Sequence, residues 1–182
     1  AIERVLSGLI NKSCLVYVYD IIIMGRDEQE HDRNLDLVLS RLKDNGFKVN
    51  LKKCEFKKSE IECLGHVVSS EGISPNPSRI NSLVNKKPPN NVKELRSFLG
   101  LASYYRRFVE GFAKIVYPLT QLLKKDIKFK WSDECHIAFE KITSCLVNAP
   151  ILTYPDFSKT FYVTCDASKS GIGAVLTQIH NK

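Results

Sequence analysis

The sequence predicts an α+β fold, and three observations carry that prediction. Short runs rich in Val, Ile and Tyr stand near both ends, at residues 13–25 and 161–178. Each folds back on itself across a short turn, so both read as hairpins. Helical apolar spacing fills the stretch between residues 76 and 150. With 182 residues and 43% hydrophobic content, the chain has room for one ordinary domain or two small ones and enough apolar surface for a core.

The elements follow in order. Ile2, Val5, Leu6 and Leu9 recur at helical spacing. In Ser13–Gly25 two apolar runs flank a single acid, Asp20, which predicts two buried strands with a carboxylate at the bend. Burying an unpaired carboxylate is costly, so Asp20 either caps the turn or sits at a rim where it can meet a cation. Residues Asp27–Asn45 predict a helix: Leu35, Val38, Leu39 and Leu42 form one face, acids lie near the start, Arg41 and Lys43 near the end, and Gly46 stops it. Phe47, Val49 and Leu51 alternate with Lys48 and Lys52, which predicts a half-buried strand. The lysines of Lys52–Lys58 fit either a guarded edge strand or a surface facing phosphate. Ile61–Ser69 and Gly72–Ser74 read as a further hairpin turning at residues 69–72. Asn76-Pro77 is an N-cap with proline at the first helical position, and Ile80, Leu83 and Val84 give a short helix stopped by Pro88-Pro89.

Beyond that double proline, Asn91 and Glu94 form a capping-box pattern, and Leu95, Phe98, Leu99 and Ala102 build an apolar face. Lys93, Arg96, Tyr104, Tyr105, Arg106 and Arg107 interleave basic and aromatic side chains, as backbone-tracking proteins do. The same residues also fit an ordinary helix with tyrosines in the core and arginines in solvent. Tyr117-Pro118-Leu119 predicts a helix start ending at Lys124-Lys125, and Ser132 caps another through Ala138, Phe139, Ile142 and Leu146. Ile151–Tyr154 reads as a short strand. Phe161–Asp166 alternates so that Tyr162, Thr164 and Asp166 share a face, the loop 167–171 includes Ser170, and Ile172–Gln178 returns. Two strands cannot bury a face alone, so this end reads as part of a larger fold.

Lys and Arg number 27 against 20 Asp and Glu, a net charge of +7, which favours a polyanionic partner. The six cysteines form no Cys-x-x-Cys pair and read as free buried thiols. Cys63-Leu64-Gly65-His66 holds half of a zinc spacing with no second half at a suitable distance. No apolar run approaches the length of a bilayer span, and Ala1-Ile2-Glu3-Arg4 lacks signal-peptide form. The expected place is therefore intracellular, cytoplasmic or nuclear, with no membrane partner.

Five ordered segments resemble one family. They are Tyr17-Val18-Tyr19-Asp20 with Ile21-Ile22-Ile23, Leu51–Phe56, Leu64–Ser69, Leu95–Leu101 with Tyr104–Phe108, and Thr164–Ser168. Together they resemble the Pol polyprotein of gypsy-type LTR retrotransposons. The resemblance implies the C-terminal part of a reverse transcriptase palm over residues 1–75, a helical thumb and connection over 76–150, and the first strands of a truncated ribonuclease H-like domain over 151–182.

The family's activity is RNA-directed DNA polymerisation, with hydrolysis of the RNA strand in RNA–DNA hybrids. Its Tyr-x-Asp-Asp motif falls on Tyr17, Val18, Tyr19 and Asp20, where adjacent carboxylates hold magnesium. Here the first of the pair is Tyr19, a phenol with a pKa of about 10 that is neutral at working pH and a poor ligand for a hard cation. Asp166 matches the first acid of the ribonuclease H site; its partner acids would lie beyond Lys182, as a further palm aspartate would precede Ala1. The resemblance makes Asp20 and Asp166 the catalytic and Mg2+-binding residues of incomplete sites, so the chain alone is expected to be inactive. It places Tyr17, Leu64, Gly65, His66, Lys93, Arg96, Tyr104, Tyr105, Arg106 and Arg107 against nucleic acid. The implied partners are an RNA–DNA hybrid or template–primer duplex and the remaining Pol segments. The alternatives are a sequence-tolerant nucleic-acid-binding module and a subunit completed by another polypeptide.

Overall fold

The structure is a computed structural model describing residues 2–169 and 171–179; Ser170, assigned above to a loop, lies outside them. The chain packs as two compact units divided between Phe56 and Lys57.

In the first unit a short helix α1 (Ile2–Val5) precedes strands β1 (Cys14–Tyr17) and β2 (Asp20–Ile23) and the long helix α2 (Glu28–Asp44). The strands are antiparallel, from Cys14 opposite Ile23 to Tyr17 opposite Asp20, so Val18 and Tyr19 form a two-residue turn. Both ends of α2 lie where residue chemistry puts them. The Asp27 carboxylate accepts the Glu30 amide at 2.7 Å. At the other end Gly46 takes φ +73° while its N–H donates to the Lys43 carbonyl and that of Phe47 to the Leu42 carbonyl, both at 2.9 Å. That is the Schellman arrangement, which favours glycine because the left-handed backbone has no room for Cβ. Val38 and Leu42 of α2 bury against Leu6, Leu9 and Cys14. Burial pushes the Cys14 thiol upward, so it behaves as an inert apolar group.

Two expectations fail in this unit. The β1–β2 strands are not buried on both faces, since Leu15 is 42% and Tyr17 57% exposed. Residues 47–51 form no strand, because the Asn50 side chain accepts the Lys52 amide at 3.2 Å and bends the chain into a 3-10 turn over Leu51–Lys53. Leu51 points into solvent, and the lysine-rich run is therefore not an edge strand.

The second unit opens with an antiparallel sheet of β3 (Glu60–Cys63), β4 (His66–Ser69) and β5 (Ile73–Pro75). The segment 61–69, expected to be one arm of a hairpin, is itself a hairpin turning at Leu64-Gly65. The turn at 69–72 is present, with the Ser69 amide donating to the Gly72 carbonyl at 3.0 Å. Four helices follow: α3 (Pro77–Val84), α4 (Val92–Tyr104), α5 (Phe112–Gln121) and α6 (Asp133–Val147). The Asn76, Asn91 and Ser132 side chains cap α3, α4 and α6 as their spacing predicts. Leu95, Phe98, Leu99 and Ala102 of α4 are buried against Val116, Leu119, Phe139 and Ile142, with the Phe98 and Phe139 rings 4.7 Å apart. Helix α5 starts at Phe112, not at Pro118, which lies inside it. Burying Val116 outweighs the backbone hydrogen bond that proline forgoes.

The expected strand at 151–154 reduces to one bridge, in which Leu152 and Ile73 exchange backbone hydrogen bonds at 2.8 and 2.9 Å. The final hairpin, β6 (Tyr162–Ala167) with β7 (Ile172–Thr177), pairs Asp166 with Gly173 and exposes Val163, Ile172 and Leu176. Cys14 and Cys135 are buried free thiols, whereas Cys165 is exposed. No helix among the described residues is long and apolar enough to cross a membrane.

Candidate nucleic-acid interface

The backbone of the Leu64-Gly65 turn is held at both residues. Both residues have positive φ, +49° and +72°, the pattern of a type I′ hairpin turn. Glycine adopts this readily; leucine does not. Tyr104, at the end of α4, donates its hydroxyl to the Leu64 carbonyl, and Tyr105 donates to the Gly65 carbonyl at 2.6 Å. The Asn76 amide also donates to Gly65, at 3.1 Å. The His66 ring lies among Tyr104, Tyr105 and Phe108, at centroid distances of 5.2, 5.4 and 5.8 Å. Burial pushes the Tyr105 hydroxyl above the usual tyrosine range, Tyr104 adds to this and the Arg79 charge opposes it.

The 3.6-residue period that buries one side of α4 turns Lys93, Arg96, Gly100 and Tyr104 outward. Arg106 and Arg107 follow, exposed on a 3-10 turn. None of these four cations is ion-paired among the described residues. Gly100 leaves a gap in the row where nothing lies within 4 Å of an added Cβ, so another backbone can approach the helix there. Beside the turn an open depression of ≈ 440 Å³ is lined by Glu62, Leu64, Gly65, Asn76, Arg79 and Ser82.

Of the two readings of Tyr105, the structure gives the core one. It is only 1% exposed, so its ring is not free to stack on a base and instead holds the turn. Tyr104 is half-exposed. Asn76 and Arg79 were not anticipated at this site. Asn76 is legible only as a cap, and nothing in the local sequence says that α3 packs beside the hairpin.

In the first unit Tyr17 and Asp20 close the β1–β2 hairpin, and Tyr19 at its turn is 80% exposed. A two-metal centre needs clustered carboxylates, which reverse transcriptase and ribonuclease H-like families supply for divalent metals. Among the described residues no group of three or more His, Cys, Asp or Glu could hold a metal, and the residue before Asp20 is Tyr19 in place of a second carboxylate. Asp166 stands exposed on β6. The residues present do not fit a two-metal site, in either unit.

Residues 1–68 match the family described as reverse transcriptase (RNA-dependent DNA polymerase), and residues 131–182 match the RNase H-like domain found in reverse transcriptase. The chain is 44% identical over 177 residues to the retrovirus-related Pol polyprotein from transposon 297 of Drosophila melanogaster, covering 97% of this chain and 17% of that protein. Over nearly its whole length the chain is thus similar to part of a retrotransposon Pol polyprotein. The transposon Tf2-3 polyprotein of Schizosaccharomyces pombe is 37% identical over 180 residues, covering 99% of this chain and 14% of its own length. The chain thus spans less than a fifth of either relative.

Among solved structures, the foamy viral protease–reverse transcriptase in complex with double-stranded DNA superposes with a TM-score of 0.80 at 30% identity, covering 92% of this chain and 35% of that one. The same viral enzyme in complex with an RNA/DNA hybrid gives 0.78 at 27% identity, covering 97% of this chain and 26% of that one. The α+β architecture is similar to part of a reverse transcriptase, with reverse transcriptase sequence matched at residues 1–68 and RNase H-like sequence at residues 131–182.

Proposed function

We propose that this Pol segment grips an RNA–DNA hybrid or template–primer duplex through its sugar–phosphate backbone, for a polyprotein that carries out RNA-directed DNA synthesis and RNA-strand hydrolysis. In this reading residues 1–75 are late palm, 76–150 thumb and connection, and 151–182 the start of the RNase H-like domain. The observation that carries it is the outward row on α4 and the turn after it, in which Lys93, Arg96, Arg106 and Arg107 are exposed and unpaired. Cations without acidic partners are available to phosphates, and contacts of that kind are sequence-tolerant. The held Leu64-Gly65 turn and His66 belong to the same unit and supply a rigid edge. Tyr17 lies on the other hairpin, beside the surviving acid Asp20. The solved viral relatives, with a duplex or hybrid bound, lend support to this partner class.

The segment alone does not polymerise, because Tyr19 replaces a metal-binding carboxylate; Mg2+ and the other acids belong to the complete enzyme, with remaining Pol segments as partners. Its place of action is intracellular. Hybrid affinity measured against salt tests the grip. Changing Lys93, Arg96, Arg106 and Arg107 together to Gln should lower the slope of log affinity on log salt by roughly 3. A salt-independent affinity, or one that survives the fourfold change, would refute the proposal. Primer extension with magnesium tests the inactivity, and robust extension by the unmodified chain would sink it.

A further inference from the structure

We propose that Tyr104 and Tyr105 are positioning residues whose hydroxyls lock the Leu64-Gly65 turn to the end of α4, so that turn and basic helix meet a duplex as one body. This rests on the backbone grip proposed above and names the device that aligns its two parts.

A leucine at φ +49° is in a costly backbone region, and contacts that hold it there offset that cost. His66 Nδ1 lies 3.0 Å from the Leu64 carbonyl, and two further supports come from 40 residues away in sequence, where adjacent tyrosines reach adjacent carbonyls. The Gly65 oxygen accepts from both the Tyr105 hydroxyl, at 2.6 Å, and the Asn76 amide, at 3.1 Å. With both lone pairs engaged, the Gly65–His66 peptide plane cannot rotate without losing two bonds. Burial would oblige Tyr105 to find some acceptor, but Tyr104 is 50% exposed and could give its hydroxyl to water. That it takes the Leu64 carbonyl instead fixes the turn from a second direction. An added Cβ on Gly65 would lie 3.2 Å from the Tyr105 hydroxyl, so glycine permits both the backbone angle and the close approach of the donor. The same two tyrosines end the helix that carries Lys93 and Arg96. Movement of that helix end is therefore transmitted to the turn.

The test uses the full chain with Tyr104→Phe, Tyr105→Phe and the double variant, which keep the rings and remove only the hydroxyls. Amide hydrogen exchange is followed at His66 and Asn76, with Leu99 in the core of α4 as the internal reference. Each single change should speed exchange at the turn about fivefold and the double change about thirtyfold, with Leu99 unaltered. Affinity for a short RNA–DNA hybrid should fall about tenfold in the double variant while the salt slope stays the same, since no cation is lost. Gly65→Ala should reproduce the faster exchange and add little to it in the Tyr105→Phe background. Unchanged exchange would overturn the lock. Faster exchange with unaltered affinity would overturn the positioning role, and a shifted salt slope would overturn it by making the tyrosines part of the ion-dependent contact. Failure of the unmodified chain to bind hybrid at all would sink the proposed grip and the positioning role with it, while exchange still decides the lock.

Discussion

The Val18-Tyr19 turn of β1–β2 and the Leu64-Gly65 turn of β3–β4 each join two four-residue strands, and each puts a bulky residue at positive φ, Val18 at +56° and Leu64 at +49°. Their surroundings differ. Val18 and Tyr19 are 61% and 80% exposed, and no side chain among the described residues hydrogen-bonds to them. Leu64 and Gly65 are held by two tyrosine hydroxyls, an asparagine amide and a packed imidazole. The open turn belongs to the motif whose chemistry needs ligands that are not gathered beside it. The held turn needs nothing further to be rigid. One hairpin turn is therefore built into its unit by distant side chains, while the other is left to its own backbone.

The contrast breaks hardest at the platform under the held turn. Phe98→Ala should cost about 3–5 kcal/mol, because Phe98 is fully buried against Phe139 and its loss leaves a cavity. Urea unfolding read by Trp131, the single tryptophan, reports the second unit, and exchange at α2 amides should be unaffected. Gly72→Ala is expected to cost about 2–3 kcal/mol by the same measurement. Gly72 sits at φ +142°, and its Cβ would enter the Leu152 carbonyl that bridges to Ile73. At the open turn the sign reverses. Val18→Gly should stabilise the first unit by roughly 1 kcal/mol, since it relieves a β-branched residue from the left-handed region and disturbs no partner. A lower stability in a thermal melt would mean that the valine is supporting the turn.

Much of this fold was legible because it is written locally. Asn76, Asn91 and Ser132 cap helices where their spacing says, and the apolar period of α4 marks its buried face residue by residue. The misreadings share a cause, which is competition between the local apolar pattern and other hydrogen-bonding or packing partners. Alternation at Phe47–Leu51 looked like a strand, yet no neighbouring strand pairs with it and Asn50 offered its backbone a turn. Pro118 looked like a helix start until Val116 and Leu119 found a core to enter. The Leu64-Gly65 turn was hidden because a leucine carries no turn signal, and what stabilises it lies near residue 105. The basic row on α4 was readable from the sequence. The lock between that helix and the hairpin was not.

The smallest expected effect separates the two turns by pH. Only a neutral phenol can donate to the Gly65 carbonyl, so ionising Tyr105 breaks the held turn and leaves the open one untouched. Burial raises the folded-state pKa of Tyr105 above the unfolded value of about 10. Between those two values the unfolded chain has released a proton that the folded chain still holds, so stability falls as pH rises. The contribution is fully present below about pH 10 and is lost as pH climbs through the folded value. Tyr154 and the Cys14 thiol shift in the same direction, also by burial, so the wild-type curve contains all three. Denaturation at successive pH values from neutral upward, with Tyr105→Phe as the comparison, isolates that of Tyr105. The variant should start lower at neutral pH, having lost the hydrogen bond, and should fall less steeply above pH 10, converging toward wild type. Parallel curves would mean that the Tyr105 hydroxyl is not held neutral by the fold, and the distinction between a locked and an open turn would lose its electrostatic basis.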